Sequence, residues 1–288
     1  MTLLTIVLRR CVFLISLLIL TGGGVWADYW YGDFVEDRTL VFSDGAPLRD
    51  STDIRSEVIA ELPVGTELII LGNGAGEFRD NGFSSYWYQA ACTMDDRSLS
   101  GYIPGAYLAM SDIALGEDTI FMFNVIGFDT LSNEFQGEIK VITGGDILDN
   151  LFLEAIGAAV SRDFYEYNTE LIAFDHSGFT GLQNLVRLSF IYTESGALNP
   201  DLLIGWTGEH LVLGPVAMNQ FEAQSYIYST KFILPTDEGG VDETAILESI
   251  LQTRDEASED YTVSEDSVTT YIWTGSGFDL EVSDSFSQ

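Results

Sequence analysis

The sequence predicts a mainly β protein with an α+β portion: a small β-barrel followed by a mixed, mostly antiparallel α+β domain with about two helices. Three observations predict it. From Arg38 to about Met110, short apolar runs alternate with turn residues, and no window is long enough for a helix. Beyond Ser111, strand-like runs are joined by two stretches whose apolar residues recur at helical spacing. Across the 288 residues, 46% are hydrophobic and 12% aromatic, enough for a sizeable core and too much for a disordered acidic tail.

The first 27 residues read as an address. Arg9 and Arg10 form a short basic region, and Cys11 to Leu20 is an apolar run of ten. Thr21-Gly22-Gly23-Gly24 breaks the run, and Val25-Trp26-Ala27 places small residues at the −3 and −1 positions of a cleavage site. That is the anatomy of a secretory signal peptide. The run is too short to cross a bilayer, which takes about 20 apolar residues. No second long apolar run follows, so no membrane span is expected after cleavage near Ala27, and the expected location is periplasmic or secreted. Cys92 is the one cysteine beyond the leader, so no disulfide within the mature chain is expected.

The chain carries 45 acidic residues against 12 basic ones, a formal net charge of −33, and only two lysines, Lys140 and Lys231. Such a chain repels a phosphate polymer, so nucleic acid is not an expected partner. Its self-repulsion is screened by salt over about 10 Å or less, which fits a saline or alkaline habitat.

Within 38–110, Leu40-Val41-Phe42 is the first apolar run and Ser43-Asp44-Gly45 the first turn. Val58 to Leu62 leads into the Pro63-Val64-Gly65 turn, and Glu67 to Leu71 is the next strand. Gly72-Asn73-Gly74-Ala75-Gly76 is expected to open a long loop. Tyr86 to Cys92 and Gly101 to Pro104 complete the set, with Tyr88, Ala90 and Cys92 in step on the face expected to be buried.

The block Val58-Ile59-Ala60-Glu61-Leu62-Pro63-Val64-Gly65-Thr66-Glu67-Leu68-Ile69-Ile70-Leu71 resembles the centre of bacterial SH3 (SH3b) domains. Trp87-Tyr88 is similar to that family's tryptophan-tyrosine strand. Gly101-Tyr102-Ile103-Pro104 with Tyr107-Leu108 resembles its closing segment. Asp50-Ser51-Thr52 departs from the usual serine-glycine-proline, and the stretch from Gly72 to Ser85 is longer than usual. The resemblance covers 38–110 and implies an SH3-like barrel acting as a binding module with no shared catalytic residues. Tyr86, Trp87, Tyr102 and Tyr107 are the candidate ligand-binding residues, because aromatics supply rigid contact area for peptides or glycans. The competing reading places Trp87 and Tyr102 in the barrel core.

The remaining chain, 113–288, resembles no family. Strands are expected at Thr119 to Ile126, Gly137 to Ile142, Tyr167 to Phe174, Leu185 to Tyr192, Leu202 to Trp206, Leu211 to Leu213 and Tyr226 to Leu234. Asp146 is placed to cap a helix running to about Arg162, with Leu148, Leu151, Phe152, Ala155, Ile156 and Ala159 on its buried face. Asp242 is placed to cap a second helix striped by Ile246, Leu247, Ile250 and Leu251. Arg254 to Asp266 reads as a solvated acidic loop and Ser283 to Gln288 as a frayed end. Trp206-Thr207-Gly208-Glu209-His210-Leu211 and Trp273-Thr274-Gly275-Ser276-Gly277-Phe278 echo each other as strand, Thr-Gly turn, strand, the pattern of a hairpin or of an internal repeat.

Chemistry-bearing motifs are thin. His176 and His210 stand 34 residues apart and match no metal pair. Asp175-His176-Ser177 puts three reactive residue types in one turn, where they do not converge as a triad must. Cys92 sits in step with buried positions and reads as a small hydrophobe rather than a nucleophile. The glycines at 72–76 lack the spacing and the following helix of a phosphate loop. Asp237-Glu238 and Glu259-Asp260 are acidic pairs of the kind that bind calcium, but read as solvated surface. No catalytic residue, metal or cofactor is assigned. The expected function is an exported, non-catalytic binding or scaffolding protein that recognises a cell-wall peptide or glycan, or an envelope protein. The alternative is a cell-wall hydrolase with a carboxylate-based catalytic domain at 113–288.

Overall fold

The computed structural model describes residues 27–28, 38–80, 83–129, 134–154, 168–191, 198–222, 225–254 and 260–287. The first sheet gathers β1 (Ala27–Asp28), β2 (Arg38–Leu40), β3 (Ala46–Arg49), β4 (Val58–Leu62), β5 (Glu67–Asp80), β6 (Phe83–Met94) and β7 (Arg97–Pro104). Its order is β2-β5-β6-β7-β3-β4, antiparallel throughout, with β1 added in parallel to β6. Period-2 alternation puts Leu48, Leu62, Leu68, Ile70, Tyr88, Ala90 and Ile103 inside, all but sealed from solvent. The β6–β7 turn is two residues long, and Asp95 and Asp96 both take positive φ, as a hairpin whose twist matches its strands requires.

A single 3-10 turn at Gly105–Tyr107 leads into the second sheet of β8 (Ser111–Ala114), β9 (Thr119–Asp129), β10 (Glu134–Thr143) and β11 (Asp146–Leu153), ordered β11-β10-β9-β8. Both faces of its central strands, β9 and β10, are buried. Phe121, Phe123, Val125, Ile139 and Val141 belong to the cluster shared with the third sheet, and Met122 and Ile142 pack with Leu40, Phe42, Val64 and Ala109 in and around the first sheet. Lys140 lies on that side. Its ammonium sits 3.3 Å from the Glu138 carboxylate, donates to the Phe42 carbonyl at 3.2 Å and lies 4.2 Å from the centre of the Phe42 ring. Asn150 donates to the other Glu138 oxygen at 2.8 Å. One hydrophobic cluster runs from barrel residues such as Leu48 and Tyr88 through Phe123 to Phe190 and Trp206.

The third sheet is an eight-stranded meander: β12 (Asn168–Phe174), β13 (Asn184–Ile191), β14 (Leu198–Trp206), β15 (Leu211–Glu222), β16 (Tyr226–Ile233), β17 (Thr244–Arg254), β18 (Tyr261–Trp273) and β19 (Phe278–Ser287). Strands β15 and β16 pair only at Gln220 to Glu222, and the two halves of the sheet also meet through side chains. Leu185 and Leu203 of the first half thus share a cluster with Leu234, Ala245 and Trp273 of the second. The indole N–H of Trp273 donates to the Thr180 carbonyl at 2.8 Å across this joint.

The echoing segments form two hairpins of one geometry. Trp206 pairs with Leu211, and Trp273 with Phe278. Gly208 and Gly275 both take positive φ. In each turn the threonine hydroxyl, Thr207 or Thr274, donates to the carbonyl three residues on, at 3.2 and 3.0 Å. Both tryptophans are buried.

The expected α+β domain with two helices is overturned. Among the described residues the only helical element is the three-residue 3-10 turn. Residues 146–153 are strand β11, and the remainder of the helix expected to 162 falls largely outside the described residues. Leu151 and Leu153 face inward while Leu148 and Phe152 face solvent, so the apolar stripe belongs to two faces of a strand. The second expected helix is strand β17, hydrogen-bonded on both sides by β16 and β18. Full ladders on both edges, with β-branched Thr244, Ile246, Ile250 and Thr253, outweigh the helical spacing. Of the expected acidic loop, Arg254 ends β17 and Tyr261 to Asp266 belong to β18, while 255–259 lie outside the described residues; residues 283–287 are paired in β19 rather than frayed. The long loop expected from Gly72 is the bulged continuation of β5. The leader expected over 1–27 lies outside the described residues apart from Ala27.

Candidate binding face

Strand register places the candidate residues. On β6, even-numbered Tyr88, Ala90 and Cys92 point to the buried face of the first sheet, while Trp87, Gln89 and Ala91 point to its outer face. Across the ladder, Trp87 opposes Pro104, Gln89 opposes Tyr102 and Ala91 opposes Ser100. On the other side Ile69 opposes Ala91, and Gly72 opposes Gln89. The rows thus continue across β5, β6 and β7, and Arg49 of β3 extends the Tyr102 row.

Trp87 anchors one end of this outer face. It is only 2% exposed, although it lies on the face opposite Tyr88 and Ala90. The continuation of β5 covers it: a Cβ at Gly74 would stand 2.8 Å from the Trp87 Cβ and 2.9 Å from Thr52. Glycine is therefore required for the close approach. Phe78 meets the Trp87 ring edge-on at 5.7 Å and the Tyr107 ring at 5.5 Å. At the other end lies a groove of about 450 Å³, lined by Pro63, Thr66, Ile69, Ala91, Cys92 and Met94. Ile69 is 52% exposed and Leu71 49%.

Of the four candidate residues, the structure brings Trp87 and Tyr107 together through Phe78. Tyr102 is on the same outer face, one row from Trp87. Tyr86 does not join them: it follows the inward parity of β6, opposes Glu77, and is 37% exposed. Trp87 is sealed, so direct contact with a ligand falls to the half-buried Tyr102 and Tyr107. Ile69 and Leu71 were missed as site residues. Their signal is the unbroken apolar run from Leu68 to Leu71, since a strand apolar at successive positions presents both faces as apolar.

The other sequence candidates resolve into structural roles. Cys92 is buried, and burial pushes its thiol above the usual range, which disfavours the thiolate a nucleophile needs. In the Asp175–Ser177 turn, Asp175 accepts the Ser177 N–H at 2.9 Å and His176 Nδ1 accepts the Gly178 N–H at 3.0 Å. Each side chain thus serves its own turn. His210 is an exposed hairpin residue 3.8 Å from Asp149, whose carboxylate accepts the Leu211 N–H at 2.7 Å. Asp237 accepts the Leu234 N–H at 2.8 Å and closes a turn. Among the described residues no group of three or more His, Cys, Asp or Glu is placed to hold a metal ion, and no helix is long and apolar enough to cross a membrane.

Among the described residues the chain forms three β-sheets and no α-helix. Comparison with family models, curated proteins and solved structures finds no significant match to it.

Proposed function

We propose that the chain is an exported, non-catalytic binding or scaffolding protein whose SH3b-like barrel recognises a cell-envelope component, a wall peptide or glycan or a protein. The observation that carries the reading is the outer face of β5, β6 and β7. Half-exposed Tyr102 and the exposed amide of Gln89 lie between the sealed Trp87 and the apolar groove at Ile69. Aromatic and amide groups on a rigid sheet suit a ligand with alternating apolar and hydrogen-bonding surface, such as a peptide or glycan. The leader-like residues 1–27 support export. Incubation of the mature chain with purified peptidoglycan, or with envelope extract, tests the reading. Sedimentation with the wall, or specific retention of an envelope protein, without soluble fragments is expected. Release of muropeptides would overturn it in favour of a hydrolase.

A further inference from the structure

Residues from both halves of the eight-stranded sheet line a cavity of about 310 Å³, which shares no lining residue with the groove at Ile69 and includes two of the chain's few basic side chains, Arg187 and Lys231. Its apolar wall includes Phe174, Phe232 and Leu234. Arg187 is on β13 opposite Leu203, and Asp201 stands two residues before Leu203 on β14, so Arg187 and Asp201 are diagonal neighbours. Both line the cavity, yet they form no ion pair with each other.

The Arg187 Nε is closed off from solvent and has no hydrogen-bond partner. A guanidinium is a fixed fork of donors that cannot shed its charge; with Nε sealed, its terminal nitrogens are the donors for which a ligand in the cavity can supply an acceptor. The acids in the wall do not supply it. Asp237 accepts the Leu234 N–H, and Asp201 accepts a long 3.4 Å bond from Asn219. Thr230 is likewise engaged, donating to the Met218 carbonyl at 2.9 Å. Arg187 and Asp201 therefore line the cavity as a cation and a carboxylate that are not partners of each other.

We propose that this cavity binds a free apolar α-amino acid. The α-carboxylate accepts from Arg187, the α-ammonium donates to Asp201, and the side chain lies against Phe174, Phe232 and Leu234. The two basic and two acidic wall residues cancel, which favours a zwitterion over a simple anion. The volume is at the small end for ligand sites, which suits a single residue better than a peptide.

Isothermal titration of the full mature chain with L-phenylalanine, L-leucine, 3-phenylpropanoate and phenethylamine tests the assignment. One equivalent of an amino acid is expected to bind, 3-phenylpropanoate at least tenfold more weakly, and phenethylamine without measurable heat. Arg187→Gln should abolish the binding, and Asp201→Asn should narrow the gap between phenylalanine and 3-phenylpropanoate. Silence with both amino acids, or equal affinity for phenylalanine and 3-phenylpropanoate, would overturn it. If Arg187→Gln does not fold, the ligand series on the unaltered chain decides. Sedimentation with the wall should be unchanged by Arg187→Gln, which keeps this test separate from the barrel reading.

Discussion

Removing the Lys140 ammonium probes the joint between the first-sheet region and the second sheet. In Lys140→Met the stem still packs on Phe42, but Glu138 is left as a carboxylate in a site where both side chains are only 11% exposed. Breaking a buried pair by removing one partner costs about 3–5 kcal/mol, because the remaining charge stays desolvated. Asn150 still donates to Glu138, which places the cost near the lower end, about 3 kcal/mol. For a chain of this size each kcal/mol moves the melting temperature by about 2–4 °C, so a fall of about 6–12 °C is expected. Thermal unfolding followed by circular dichroism reads it. Lys140→Met combined with Glu138→Gln should regain most of the loss, because the orphaned charge is gone while the Asn150 bond is kept. A single variant melting within about 1 °C of the parent, or a double variant whose loss is the sum of the two singles, would refute the reasoning.

Three further outcomes are expected. Gly74→Ala drives a methyl group into Trp87 and Thr52 and should cost about 1–3 kcal/mol, seen as a lower melting temperature; an unchanged value would mean that β5 does not cover Trp87. Burial raises the Asp112 carboxyl above its ordinary range; Arg38, 3.8 Å away, pulls it down and Glu67 adds to the rise. The folded state therefore holds this proton more tightly than the unfolded state, and stability falls as pH rises from the ordinary aspartate value through the raised one. Asp112→Asn should then melt at or above the parent at pH 7, with the difference closing below about pH 4; a less stable variant at pH 7 would reverse the sign. The Cys92 thiol should be silent to a disulfide reagent such as DTNB in the folded chain and react once on unfolding; fast labelling of the native protein would contradict its burial.

Strands were legible where their sequence alternates and pairs locally. Thr119 to Ile126, Gly137 to Ile142 and Leu185 to Tyr192 fall within or overlap observed strands, and Tyr88, Ala90 and Cys92 share the buried face as their spacing predicts. The helices were misread because Leu148, Leu151 and Phe152 satisfy helical spacing while serving two faces of β11; Phe152 remains exposed. For Ile246 to Leu251 the deciding information lay in the partner strands β16 and β18, which are non-local. The acidic run at Glu265 and Asp266 tolerates a strand because ladder pairing does not depend on side-chain polarity. At the candidate face, the aromatic residues were visible but the sealing of Trp87 was not, since the cover comes from Gly74 across a bulged hairpin. The cavity at Arg187 and Asp201 joins strands with residues from both halves of the sheet and left no motif in the sequence.

The claim that the outer face of β5 to β7 is the binding face is tested most directly by comparing Tyr102→Ala with Tyr86→Ala in wall sedimentation or partner retention. Both tyrosines belong to one sheet, but only Tyr102 is in the row between Trp87 and the Ile69 groove. Tyr102→Ala should weaken binding at least tenfold while Tyr86→Ala leaves it unchanged. Loss with Tyr86→Ala and none with Tyr102→Ala would contradict the account.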